Sequence, residues 1–224
     1  MIARNSSNRG RSLLVELLML VVGINIALWF EGRFEDMQEA RTEVQYLEGL
    51  RDDLRKDLAN LASIIEQNNR KTDRLAEIVP ALPSLATASP EVQASTMFEP
   101  SSYVFFEPSD FTYRSMIESG DFRLLSDAEI KAGILRLVRH YRFIATLQAN
   151  FIQALDDSYI PLMMSRFDLV QTRLEDPTIV DELVFRNFFA FALQDTGDRA
   201  TACKAAMDQA QTLLGQIEAQ LGDG

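Results

Sequence analysis

Residues Leu13 to Phe30 read LLVELLMLVVGINIALWF, an apolar run interrupted only by Glu16, Gly23 and Asn25. As a helix rising about 1.5 Å per residue, the run would extend roughly 27 Å, close to the ~30 Å hydrocarbon core of a bilayer. The reading is therefore a single transmembrane helix. A cleaved signal peptide would have a shorter core ending in small residues. Here the run closes on Leu28, Trp29, Phe30 and Glu31, which fits an uncleaved anchor. Arg4, Arg9 and Arg11 precede it, whereas Glu31, Arg33, Glu35 and Asp36 come after it with net negative charge. The positive-inside rule then puts residues 1–12 in the cytoplasm and the bulk of the chain across a bacterial inner membrane, in the periplasm. Trp29 and Phe30 would anchor the far interface.

Glu16 lies one turn inside the run, where a carboxylate either snorkels to the headgroups or faces another helix. Gly23 and Ala27 follow on nearly the same face, a stripe of small residues suited to close helix packing. Asn25 lies opposite and would seek a hydrogen bond across helices. These four residues are the expected membrane-packing positions, and they call for other membrane subunits or further copies of the chain.

Helical periodicity continues beyond the anchor. From Met37, apolar residues recur at mixed three-four spacing through Ala40, Val44, Leu47, Leu54, Leu58, Leu61, Ile65, Leu75 and Val79. Arg51, Asn68 and Thr72 interrupt this seam. Between Trp29 and Pro80 only Gly32 and Gly49 could weaken a helix, so residues 31–79 read as one long helix or stalk continuing the span and projecting on the order of 60 Å.

Residues 80–224 read as a helical periplasmic domain beginning with a Pro- and aromatic-rich loop at 80–111. A short helix is expected after Ser89 and Pro90. Tyr103, Phe105 and Phe106 form either an extended lid over the bundle or an exposed partner-docking loop. A helix over 110–119 would be capped by Ser109 and ended by Gly120, and Ser126 with Glu129 matches a capping box. The following helix carries Ile130, Ile134, Leu137, Tyr141, Ile144 and Phe151 on one face and reaches toward Pro161. Asp176 and Pro177 open another, bearing Phe185, Phe188, Phe189 and Phe191. The last, about 198–221, carries Cys203, Ala206, Ala210, Leu213 and Ile217. No long alternating strand pattern competes, so the fold class is all-α with a bundle-like extracytoplasmic domain.

Composition narrows the chemistry. The chain has 22 basic and 33 acidic residues, net −11, and beyond residue 34 the balance is 18 against 31. Such a surface repels nucleic acid. With one Cys and one His, internal disulfides and Cys/His zinc clusters are excluded. His140 sits among Arg136, Arg139 and Arg142 and reads as a helix-surface residue. Cys203 reads as small packing volume. The acid pairs Asp52 with Asp53 and Asp156 with Asp157 diverge by about 100° on a helix, so they do not converge as a catalytic dyad. No phosphate-binding loop, nucleophile elbow or metal-binding histidine pair is present. The expectation is a protein that is not an enzyme and has no cofactor.

Two stretches carry a resemblance. One is Glu16 through Gly23 and Ala27 to Leu28, followed by the charged helix from Tyr46 to Leu54. The other is Tyr113 through Ser119 and Gly120 to Leu125, followed by the helix around Leu137 to Tyr141. Together they resemble a family of uncharacterised single-pass bacterial membrane proteins known only as a domain of unknown function. Trp29, Phe30 and Glu31 depart from that family's asparagine-rich end of the span. The resemblance implies a single-span topology and a helical extracytoplasmic domain, but no activity. The expected role is a non-catalytic accessory subunit of a membrane complex, a photosynthetic or electron-transfer assembly being one candidate host. The alternative is a periplasmic sensor acting through a separate cytoplasmic partner.

Overall fold

Helix α1 runs from Ser6 to Ala81 without a break, some 76 residues and therefore on the order of 110 Å. The computed structural model describes residues 6–222, with side chains from Glu16 onward except at positions 26–28, 30 and 32. The expectations for Ala27 and Phe30 lie outside the described residues. Among those described, no helix is long and apolar enough to cross a membrane.

Prolines end α1 where the sequence suggests. Pro80 occupies its last turn, Pro83 opens a 3₁₀ segment over Leu82–Thr87, and α2 (Pro90–Phe98) follows with proline in its first turn. α3 (Phe111–Ser119) stops at Gly120, whose φ of 79° is the left-handed conformation glycine adopts readily. α4 (Ala128–Ala154) passes through a π turn at Leu155–Tyr159 into α5 (Ile160–Arg166), with Pro161 in the first turn of α5. A two-residue antiparallel pair, β1 (Phe167–Asp168) and β2 (Arg173–Leu174), was not anticipated. α6 (Leu183–Gly222) is one 40-residue helix where the sequence reading has two. Gly197 does not split it, because buried residues on both sides, Thr196 and Arg199 among them, keep the helix packed against the bundle and outweigh the cost of about 1 kcal/mol for a mid-helix glycine.

Two N-caps differ from expectation. Ser109 donates its backbone N–H to Asp57 Oδ1 instead of capping α3, and Asp53 on α1 accepts from both N–H and Oγ1 of Thr112 in the first turn of α3. At α4, Asp127 is the cap, its Oδ1 accepting from the amides of Glu129 and Ile130, while Ser126 donates to Glu43. A carboxylate from a distant helix outcompetes the local hydroxyl in the first case. The neighbouring acid does so in the second.

α1, α4 and α6 form the bundle, with α6 antiparallel to both. Three apolar layers succeed one another along it. Leu47, Leu50 and Leu54 meet Ile130, Ile134, Leu137, Ala210, Leu213 and Ile217. Leu61 and Ile64 meet Ile144, Cys203 and Ala206. Leu75 meets Phe151, Phe185, Phe189 and Ala192, with α2, α5 and the hairpin sealing that end. The buried side of α1 thus repeats every seven residues at Leu47, Leu54, Leu61, Asn68 and Leu75, and again at Leu50, Asp57, Ile64 and Lys71. This corrects the second row of the expected seam by one residue: Leu58, Ile65 and Thr72 are only part-buried, and Asp57 and Lys71 occupy the core in place of apolar neighbours.

Candidate functional site

The apolar run carries Leu17, Leu18, Met19, Leu20, Val21, Val22 and Ile24, all roughly half exposed or more. Successive residues turn by 100°, so these side chains point outward all around α1 rather than along one stripe. Glu16 and Gly23 lie on this stretch, and a Cβ added to Gly23 would meet nothing within 4 Å. Asn25 donates its amide to the carbonyl of Val21 at 2.7 Å, so its N–H is satisfied within its own helix. The Arg33 guanidinium lies 5.7 Å over the Trp29 ring.

The aromatic segment is extended and fastened to the bundle. Phe106 is buried, its N–H donating to Gln148 Oε1 at 2.6 Å and its carbonyl accepting from Gln148 Nε2 at 3.2 Å. Tyr103 packs edge-on to both Phe105 and Phe151. Of the three expected docking residues, Phe105 is the most exposed.

Between the second and third apolar layers lies a polar one that the sequence reading treated as a lapse in the seam. Asn68 and Lys71 from α1 face Asp195, Thr196 and Arg199 from α6, and all five are buried. Arg199 Nε donates to Asp195 Oδ2 at 2.7 Å, with side-chain exposures of 3% and 8%. Its Nη2 donates to Thr196 Oγ1, and the guanidinium stacks 4.7 Å over Phe151. Burial lifts the Asp195 carboxyl above the usual carboxylate range, while Arg199 pulls it back down.

Among the described residues, no carboxylate forms an ion pair with Lys71. Its ammonium donates to the carbonyls of Pro100, at 3.0 Å, and Ser102, and lies 5.4 Å from the Phe151 ring. Burial, reinforced by the like charge of Arg199, brings its pKa down to about 8. The positions of these groups follow from sequence: Asn68 and Lys71 occur where the heptad of α1 expects leucine, and Thr196 and Arg199 occupy the matching rows of α6. The signal is legible once the two helices are known to be antiparallel.

This layer opens on a cavity of about 370 Å³ lined by Gln67, Asn68, Arg70, Lys71, Arg74, Ser102, Tyr103 and Val104. Arg70 pairs with Glu66, and Arg74 pairs with Glu99 at 2.9 Å. Asn68 is 2% exposed and forms part of the cavity wall.

A second buried acid, Asp57, accepts from the Ser109 amide and from Tyr141 Oη, each at 2.7 Å. Burial raises the Asp57 carboxyl and the Tyr141 phenol alike. With both oxygens taken by chain partners, this acid fastens the loop before α3 to α1 and α4. His140 is part-exposed on α4 and Cys203 is buried, its thiol pushed up to about 11 by burial. Among the described residues no group of acids, histidine and cysteine is placed to hold a metal ion.

No curated protein and no solved structure matches the chain. The model of a family of unknown function, DUF6090, matches residues 16–159, from the apolar run to the π turn after α4. That match covers well over half the sequence and takes in α1 to α4 with the aromatic segment: the chain belongs to the DUF6090 family of unknown function.

Proposed function

We propose that this protein is a membrane-anchored, non-catalytic accessory subunit whose anchor is the run Leu13–Phe30 and whose helical bundle contacts partner proteins in the bacterial periplasm. The observation that carries the reading is the all-round exposure of apolar side chains between Leu17 and Ile24, on a helix that from Leu47 onward buries a row of apolar residues against α4 and α6. In water, such a sleeve of Leu, Val, Ile and Met would be strongly unfavourable, at about 25 cal/mol per Å² of apolar surface. Lipid tails remove that cost without a protein partner. Gly23 and its open face leave room for a second helix to approach closely. The arginines ahead of the run favour a cytoplasmic N-terminus.

Purification of tagged full-length protein from its native membrane in mild detergent, with native electrophoresis and mass spectrometry of co-migrating chains, tests this. Stoichiometric membrane subunits are expected. Extraction by carbonate without detergent would sink the anchor, and a lone monomer would sink the subunit reading.

One observation favours a sensor as the second reading. α1 is continuous from the apolar run to the polar layer at Asn68 and Lys71, so a ligand-driven shift in the bundle would act on the helix that enters the membrane. That version requires a separate cytoplasmic partner.

A further inference from the structure

We propose that the cavity beside Lys71 is a binding site for a small oxyanion, a carboxylate or phosphate either free or on a compact organic body. The proposal stands apart from the membrane anchor, which lies more than about 60 Å away along α1 by helical rise.

The charge balance at this place argues for it. Four cations converge here: Arg70, Lys71, Arg74 and Arg199. Three carboxylates answer them, with Glu66 on Arg70, Glu99 on Arg74 and Asp195 on Arg199. One positive charge is left without an ion pair, Glu99 and Asp195 acting on it only at longer range, in a chain whose net charge is −11. The surplus falls on Lys71, the most costly place for it, because this residue is only 4% exposed and its ammonium is met by two neutral carbonyls and an aromatic face. An anion entering the cavity would supply the missing counter-charge in a site of low dielectric, where the attraction is strongest.

The lining matches the same ligand. It contains three cations, two amides, a serine and a tyrosine, and no carboxylate. Asn68 is the second pointer. It is buried and lies on the cavity wall one turn from Lys71, so its amide is placed to meet a ligand there. An oxyanion could accept from that amide while facing the ammonium. The volume of about 370 Å³ holds on the order of ten water molecules, enough for an oxyanion with a few carbon atoms. Tyr103 and Val104 provide the apolar wall against which such a body would rest.

Asp57 shows the contrast. It too is a buried charged group in the α1 seam, yet both its oxygens are engaged by Ser109 and Tyr141, and the space beside it is only about 40 Å³. The chain completes that site by itself. It does not complete the one at Lys71.

The test is calorimetric titration of the full-length protein in mild detergent, at fixed ionic strength and pH 7, with inorganic phosphate and with succinate in separate experiments. Saturable binding of either probe at one site per chain is expected, and which of them binds separates a phosphate ligand from a carboxylate one. Asn68→Asp places a carboxylate beside Lys71 and should weaken binding by about tenfold or more. Lys71→Met should do the same, while Arg123→Gln, in an exposed pair with Glu39 at the other end of the bundle, should leave it unchanged. If Lys71→Met does not fold, the Asn68→Asp result decides. No saturation by either probe up to about 10 mM would overturn the proposal. Equal binding in wild type and Asn68→Asp would overturn it as well.

Discussion

Replacing Asp195 with leucine should be among the most destabilising single changes in the bundle. The carboxylate residue is 7% exposed and meets Arg199 Nε at 2.7 Å. Without it, Arg199 keeps only a hydroxyl and the Phe151 face, and it stands near Lys71, a second buried cation without a carboxylate. Breaking one side of a buried pair typically costs about 3–5 kcal/mol, most of it the desolvation of the charge left behind. Asp195→Leu should therefore fall in that range. Arg199→Met should cost somewhat less, because a raised carboxyl pKa lets Asp195 take up a proton and lose its charge. The double variant should recover most of the loss, since replacing a buried pair by apolar side chains is often near neutral. The measurement is urea unfolding at pH 7 followed by far-ultraviolet circular dichroism. Fluorescence would mislead, because the single tryptophan, Trp29, lies in the apolar run and not in the bundle. A loss below about 1 kcal/mol for Asp195→Leu, or a double variant whose loss equals the sum of the singles, would refute the claim that this pair is a coupled buried unit.

Lys71 makes stability rise with pH over a defined window. Its pKa falls from 10.5 unfolded to about 8 folded, so between those values the unfolded chain binds the extra proton and a higher pH favours the native state. At about 1.36 kcal/mol per unit the full gain is on the order of 3 kcal/mol. Cys203 opposes it from about pH 9, because its thiol is raised from 9.0 to about 11 in the folded chain and the unfolded thiol ionises first. The charged groups acting on Lys71 are Arg199, Glu99, Asp195 and Arg74, none of which changes charge in that window by its ordinary pKa. Unfolding free energy should rise between about pH 7.5 and 9 in wild type and stay flat in Lys71→Met; equal slopes would show that another group is responsible. Gly49→Ala should destabilise although alanine favours helix by up to about 1 kcal/mol. Its Cβ would come within 2.8 Å of Thr112 Oγ1, and that side chain is held by a 2.6 Å hydrogen bond to Asp53, so a net loss of about 1–2 kcal/mol is expected. A gain in the urea midpoint would mean that Thr112 moves aside freely.

Much of the fold was legible because its signals are local. The face of α4 from Ile130 to Phe151, the face of α6 from Cys203 to Ile217 and the stop at Gly120 are all as read, whereas Asp176 and Pro177 open only a 3₁₀ turn over Pro177–Asp181 and the helix bearing the phenylalanines starts afresh at Leu183. Phe185, Phe188 and Phe189 are core, while Phe191 is partly exposed and stacks on Phe151. What escaped the reading depends on partners remote in sequence. Asp57 and Lys71 carry no apolar signal, and they can be buried only because Tyr141, Ser109, Pro100 and Ser102 come to meet them. The apolar periodicity therefore points to Leu58 and Ile65, one residue away from the true row, and lapses at Thr72. The candidate site was missed for the same reason, since it lies where the apolar pattern fails on two helices at once.

That coincidence has a structural consequence beyond any ligand. In α1 and α6 the buried rows repeat every seven residues, about 10.5 Å of rise, so a slip of one heptad between them would again set apolar residues against apolar ones. The layers around Leu47, Leu61 and Leu75 differ in bulk but not in chemistry. The polar layer breaks this degeneracy. A slip in either direction moves Arg199 and Asp195 away from Asn68 and Lys71 and carries Lys71 away from Thr196, burying charge against leucine, alanine or phenylalanine at a cost of several kcal/mol. An apolar layer in its place would hold the helices together at least as tightly and would select among registers less well. The Asp195 and Arg199 double variant separates these two properties: its unfolding free energy should remain near wild type, while the distinction between the native register and its neighbours narrows by the cost of the buried charge it no longer carries.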